Sequence, residues 1–288
     1  MSKSDLSPKT LKPIAQGRSA HYVMAGIGVA AMLALLSVVL PLAVQGLPRL
    51  NMDFLFKPPR ELGGGGIGPE ILNTLIMVGL SQCISLPLAI IIAIYRVEYD
   101  HIRHLARLFD QGLQIVLSLP TMVIGLIVVD VAIVRWHWPI SVESGILVLS
   151  LINWPFAVFL TVQVLQRIPD EWREASRALG ASRWQTITRL ILPVAWADII
   201  ELTGLTMARL MGETAALIYT AGLNVTSRFA FSAPGETVAV HLWYIRTEGL
   251  MPDADQVAAA TGLVLLLLVI AVLWVSQKFA EWVKNANL

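Results

Sequence analysis

The chain has 288 residues, 56% of them apolar and only 14% charged, where soluble domains carry about 25% charged residues. Its net charge of +1 supplies no basic footprint for nucleic acid. Cys83 is the only cysteine, which excludes an intramolecular disulfide and a cysteine-based metal cluster. Such a chain hides much of its length from water, and we read it as an all-α integral membrane protein.

Residues 1–21 form a polar tail carrying Lys3, Lys9, Lys12 and Arg18. The apolar run that follows is too long for a signal-peptide core and reads as a retained anchor. A membrane helix needs about 20 mainly apolar residues to cross roughly 30 Å of hydrocarbon. Six windows qualify, at about 23–47, 71–95, 112–134, 145–166, 197–221 and 257–276, within a transmembrane region of 22–280 that leaves a short tail at 281–288. Pro41, Pro87, Pro120 and Pro155 fall inside these windows and read as kinks, which membrane helices tolerate. Between the first and second windows, Pro58-Pro59 precedes a glycine run at 63–66. The run lacks the Gly-Lys-Ser/Thr ending of a nucleotide loop and reads as a turn.

Lys and Arg in the loops set the orientation. With the N-terminus inside, inner segments hold fourteen of them and outer segments six. Both termini are therefore expected in the cytoplasm. Trp136 and Trp138 then fall at the outer boundary, where aromatic belts form. His101 and His104 share a helix spacing but no carboxylate pair accompanies them. Asn224-Val225-Thr226 matches a glycosylation sequon, a pattern common by chance. Zinc-protease and nucleophile-elbow signatures are missing, so no catalytic residue is expected.

The fifth window is unusual because it contains Arg209 and Glu213. Asp198, nearer its inner end, lies eleven residues before Arg209, or about 16 Å along a helix, which puts the guanidinium near mid-membrane. An Arg there costs about 2.5–3.5 kcal/mol on insertion scales and must face protein or a watery cavity. Glu213 is spaced to pair with it on one helix face. One reading is a buried ion pair that fixes packing. The other is a pathway in which the planar guanidinium meets a tetrahedral oxyanion while Glu213 holds it in place.

The inner loop 167–196 is longer than a connector requires. Pro169 followed by Asp170 and Glu171 marks a helix start, and Gly180 with Ala181-Ser182 marks a stop and a sharp turn. A second helix then leads into the fifth window. Small Ala175, Ser176 and Ala178 permit close approach to a partner groove. An interfacial helix lying on the membrane has the same pattern.

Here the residues carry a resemblance. Glu174-Ala175-Ser176, Gly180, Leu190 and Leu192-Pro193, in that order and spacing, resemble the EAA loop of bacterial ABC importer permeases. Ala208-Arg209-Leu210-Met211-Gly212-Glu213-Thr214-Ala215 resembles a signature of the phosphate importer permeases, PstA type in particular. Leu119-Pro120-Thr121-Met122-Val123 and Glu98-Tyr99 fit the same family. The resemblance implies a six-helix type I permease that moves inorganic phosphate by alternating access. Glu174, Ala175, Ser176, Gly180, Leu192 and Pro193 would couple it to an ATPase, and Arg209 and Glu213 would line the pathway. It further implies a second permease (PstC type), an ATPase dimer (PstB type) that holds ATP and Mg, and an extracytoplasmic phosphate-binding protein (PstS type), with no cofactor in this chain. Phe159 and Val162 stand where phosphate permeases usually carry Arg and Glu. That departure keeps another oxyanion (phosphonate, sulfate or molybdate) as an alternative substrate. A transport-inactive regulatory membrane component is the alternative of a different class.

Overall fold

The computed structural model describes residues 18–60, 65–99, 103–223, 229–249 and 252–286. The tail up to residue 17, Gly63 and Gly64 of the glycine run, His101 and the 224–226 sequon lie outside the described residues. All regular structure among the described residues is helical.

Five helical stretches are long and apolar enough to cross a membrane: His21–Arg49, Gly68–Tyr99, Val142–Gln166, Arg183–Met211 and Ala254–Ala286. In chain order the helices are α1 (Arg18–Gly46), α2 (Met52–Phe56), α3 (Gly68–Ile94), α4 (Arg103–Ser118), α5 (Thr121–Val128), α6 (Val142–Gln166), α7 (Asp170–Ala178), α8 (Arg183–Thr186), α9 (Leu192–Met211), α10 (Ala215–Thr220), α11 (Val238–Glu248) and α12 (Ala254–Ala286). Short π-helical turns extend α3 to Tyr99, extend α5 to Arg135, and join α8 to α9.

Two of the six predicted spans are not single rods. The window 112–134 is a pair, His104–Ser118 and Thr121–Arg135, bent by 89°. Pro120 sits at the bend with extended backbone (φ −58°, ψ 133°). It has no N–H to continue α4, and it pushes Leu119 out of the helical region. The expected kink is therefore a full corner, whereas Pro41, Pro87 and Pro155 lie inside continuous helices. The window 197–221 is also interrupted. The helix begins earlier, ends at Met211, and resumes as the six-residue α10 after Gly212–Thr214.

The core is built where α6 lies between α3 and α9, with α12 on the far side of α9. Met77, Val148, Leu149, Leu210 and Met211 form one apolar cluster there. Ala89, Ala157, Leu165 and Ile199 form another, nearer the 167–196 loop. A buried polar seam crosses the same contact. Asn153 Nδ2 donates to Gln82 Oε1 (2.8 Å) and Ser85 Oγ (2.6 Å), and Thr206 Oγ1 donates to Gln82 Oε1 (3.0 Å). Apolar packing against lipid provides no net drive between membrane helices, so such bonds help fix their register.

The two broken helices meet each other. A Cβ added at Gly125 of α5 would lie 2.8 Å from the Cα of Ala216 in α10, so only glycine permits this approach. Of the whole bundle α1 is the least enclosed, with its apolar side chains exposed along most of its length. It touches α12 near Gly46 and Gly262.

Candidate functional site

The pathway candidates sit at the second break. Arg209 is in the last turn of α9, and Gly212 caps the helix. Because the helix ends there, Glu213 leaves the face that Arg209 occupies. Glu213 Oε1 instead accepts from Thr121 Oγ1 (3.0 Å) and from the Ala216 amide (3.5 Å). It thus ties the start of α5 to the start of α10, where a carboxylate suits the free N–H groups of a helix N-terminus.

Arg209 is exposed on this chain. Its guanidinium lies 4.8 Å from the centre of the Phe156 ring on α6, and among the described residues it forms no ion pair. The paired arrangement expected from the spacing is absent. An aromatic face steadies the cation without neutralising it, so its hydrogen-bond donors remain available to an anion. One turn along α6 from Phe156, Phe159 is half-buried and Val162 is buried, so neither adds charge.

The second candidate region is the loop 167–196. Pro169 precedes α7, which opens on Asp170 and Glu171 and ends at Ala178. Gly180 has φ +83°, a left-handed conformation that disfavours any side chain. Ser182 then starts α8 through a capping box with Gln185. Glu174, Ala175 and Gly180 are exposed, Ser176 is half-buried, and Leu192 and Pro193 are partly covered where α9 begins. Ser176 Oγ lies 2.8 Å from Thr186 Oγ1, which joins α7 to α8. A cleft of about 640 Å³ runs beside Trp172, Ala175, Leu179 and Leu190. Leu179 is 89% exposed at the tip of the turn, and Trp172 and Trp184 are also exposed. Apolar side chains presented this way form an exposed patch of the kind that marks docking surfaces.

What holds this platform was not read from the sequence. Arg173 is buried and donates to Glu98 Oε1 (2.9 Å), Ile168 O (2.6 Å) and Leu165 O (2.9 Å). Arg183 donates to the Glu98 carbonyl (3.1 Å) and lies 5.4 Å from the Tyr99 ring centre. Arg96 holds Asp110 of α4 with two bonds (3.0 and 2.6 Å). Glu98-Tyr99, noted only as fitting the family pattern, is thus the anchor of the loop. The one signal in the sequence was an acidic residue at the end of a long apolar run.

At the opposite end of the bundle, His241 of α11 lies 2.8 Å from Glu236 Oε1 through Nδ1. Burial works against a charge on His241, but the hydrogen bond and charge of Glu236, with Glu70 nearby, raise its pKa above the ordinary value. Sequence reading did not single out these three residues, because Glu70 is far in the chain from Glu236 and His241.

Comparison with known proteins agrees with this architecture. Residues 85–285 match the family described as binding-protein-dependent transport system inner membrane component. A probable ABC transporter permease of Bacillus subtilis, YqgI, is 30% identical over 241 residues, covering 79% of this chain and 82% of the relative. A probable phosphate transport system permease PstA of Methanocaldococcus jannaschii is 31% identical over 219 residues (76% and 77% covered). The Pasteurella multocida PstA is 29% identical over 248 residues (84% and 88%). Among solved structures, a bacterial alginate ABC transporter in complex with its pentasaccharide-bound periplasmic protein superposes with a TM-score of 0.69 at 14% identity, covering 92% of this chain and 96% of that one. An inward-facing MetNI methionine transporter gives 0.57 at 19% identity (76% and 94%). At those identities the structures speak for the fold alone. Long apolar helices, the EAA-type loop and the extent of the family match converge on one conclusion: this chain is an integral inner-membrane permease subunit of the binding-protein-dependent ABC importer family.

Proposed function

We propose that the chain imports inorganic phosphate. It would alternate access across the membrane while ATP and Mg²⁺ are bound and turned over on a separate ATPase dimer of PstB type. A PstC-type permease would complete the pathway, and a PstS-type binding protein would deliver the anion. The termini and the 167–196 loop lie in the cytoplasm in this reading, which the excess of Lys and Arg on that side supports.

The observation that carries the substrate class is Arg209, a guanidinium at the break between α9 and α10, exposed and stacked on Phe156 rather than neutralised by Glu213. A fork of donors with no acceptor of its own suits an oxyanion. PstA relatives at about 30% identity support phosphate as the member of that class. Glu213 acts on the pathway by fixing the two helix breaks against each other through Thr121. Glu174, Ala175, Ser176 and Gly180 form the face that enters the ATPase, and Leu192-Pro193 passes its movement into α9.

A second reading, another oxyanion such as phosphonate, sulfate or molybdate, draws on Phe159 and Val162, whose apolar side chains leave α6 without charge at those positions. ATP-dependent uptake of labelled phosphate into vesicles holding the whole complex separates the two. Phosphate uptake that sulfate and phosphonate do not suppress is expected. Transport of a competitor with no phosphate uptake would overturn the substrate and leave the permease assignment standing.

A further inference from the structure

Glu70, Glu236 and His241 are brought together although Glu70 and Glu236 are 166 positions apart in the sequence. All three are buried, with Glu70 and Glu236 each 1% exposed and His241 3%. Each offers one ligand atom, and these atoms lie within 4.8 Å of one another. Among the described residues, Glu70 Oε2 and Glu236 Oε2 are buried without a hydrogen-bond partner. Two carboxylates crowded together with orphaned oxygens in a buried site are strongly unfavourable unless something neutralises them.

We propose that this cluster is a binding site for a divalent transition-metal ion of the zinc class. Two carboxylates and a neutral imidazole balance the ion's double charge, and its bonds would occupy both orphaned oxygens. One nitrogen with two carboxylate oxygens suits Zn²⁺ or Mn²⁺, whereas Ca²⁺ and Mg²⁺ sites are built from oxygen alone. At bond lengths near 2.0–2.2 Å, tetrahedral ligands stand about 3.4 Å apart. Small side-chain rotations would bring the present spacing, 2.8 Å between His241 Nδ1 and Glu236 Oε1 and within 4.8 Å across the group, to that value. The fourth position falls to water.

The site's work is to staple. Glu70 is in the first turn of α3, Glu236 lies just before Thr237, the N-cap of α11, and His241 is in α11 itself. Two bonds already cross this seam, from Asn73 Nδ2 to the Glu236 carbonyl (3.1 Å) and from the Val238 amide to Thr74 Oγ1 (2.9 Å). The ion would lock the same seam far more firmly and hold the 229–237 segment against α3.

The test uses the full chain in lipid nanodiscs, purified without a histidine tag, stripped with a chelator, incubated with Zn²⁺ and desalted. We expect one retained zinc per chain by mass spectrometry, reduced at least tenfold in Glu70→Gln and His241→Gln. The double variant His101→Ala/His104→Ala, which removes the chain's other neighbouring histidines, keeps the ion. Co²⁺ in place of zinc should give a visible d–d band that zinc displaces. If Glu70→Gln and His241→Gln fail to fold, the wild-type chain still decides the matter by its zinc content and Co²⁺ spectrum. No retained zinc in the wild type, or equal retention in all variants, overturns the proposal and leaves the His241–Glu236 hydrogen bond beside Glu70.

Discussion

The two ends of the proposed transport cycle are held in opposite ways. The 167–196 loop is tied down at its base and at the start of α8, by Arg173 to Glu98 and two carbonyls, by Arg183 to Glu98, and by Ser182 to Gln185. At Arg209 two helices are broken, the guanidinium rests on one ring, and the breaks meet through the Glu213–Thr121 bond and the close approach of Gly125 to Ala216. A part that transmits force must not deform, and a part that opens and closes must not be locked. The contrast also predicts different outcomes for substitution: structural loss at the loop, transport loss without structural loss at the breaks.

The largest expected effect is at Arg173. Replacing it with Ala leaves Glu98 buried without its partner, which costs about 3–5 kcal/mol. A large fall in melting temperature and loss of ATPase association in pull-down should follow. Replacing the pair together, Glu98→Leu with Arg173→Met, should recover part of the stability, because the buried ion pair exchanges for apolar packing at little net cost while the Leu165 and Ile168 carbonyls still lose their donor. Recovery of the fold without recovery of coupling would sharpen the comparison further.

Next comes Arg209→Gln. A charged hydrogen bond to the anion contributes about 1.5–3 kcal/mol, so uptake should drop roughly 10- to 150-fold at unchanged melting temperature. Uptake in reconstituted vesicles measures the first and thermal unfolding the second. Full uptake by this variant in an assembled complex would sink the pathway role.

Gly180→Ala is smaller. Open space surrounds the position, so the only penalty is the left-handed backbone at φ +83°, about 1–2 kcal/mol. The expected result is a slight fall in stability with weakened stimulation of ATP hydrolysis by substrate. Smallest is Ser182→Ala, which removes half of the capping box and costs about 1 kcal/mol. Hydrogen exchange should increase at the start of α8 while uptake is nearly unchanged.

Legibility in the sequence follows the range of the interactions. Spans could be read because each is a local excess of apolar residues, and the α7 turn because Pro169 and Gly180 act on their own neighbours. The corner at Pro120 was underread as a kink, since proline alone does not say whether the next turn continues the old axis. Arg209 lies in the last turn of α9 without the Glu213 partner that the spacing predicts. Helical spacing predicts a partner four residues on only if the helix persists, and Gly212 ends it. The pairing of Glu98 with Arg173, and of Glu70 with Glu236 and His241, is not readable from spacing, because these contacts exist only after α3 has packed against distant parts of the chain.

One consequence follows from the Arg173 clamp. Its bonds reach Leu165 and Ile168 at the base of α6 and Glu98 at the base of α3, so α7 is tied to both of those helix ends. α6 has 25 residues, about 37 Å of rod. Geared in this way, a rotation of about 5° at the base carries the far end of that rod by roughly 3 Å, near the 2.8 Å diameter of a water molecule. A swing of the loop smaller than one side chain is enough to open or close a gap one molecule wide at the other end of the helix.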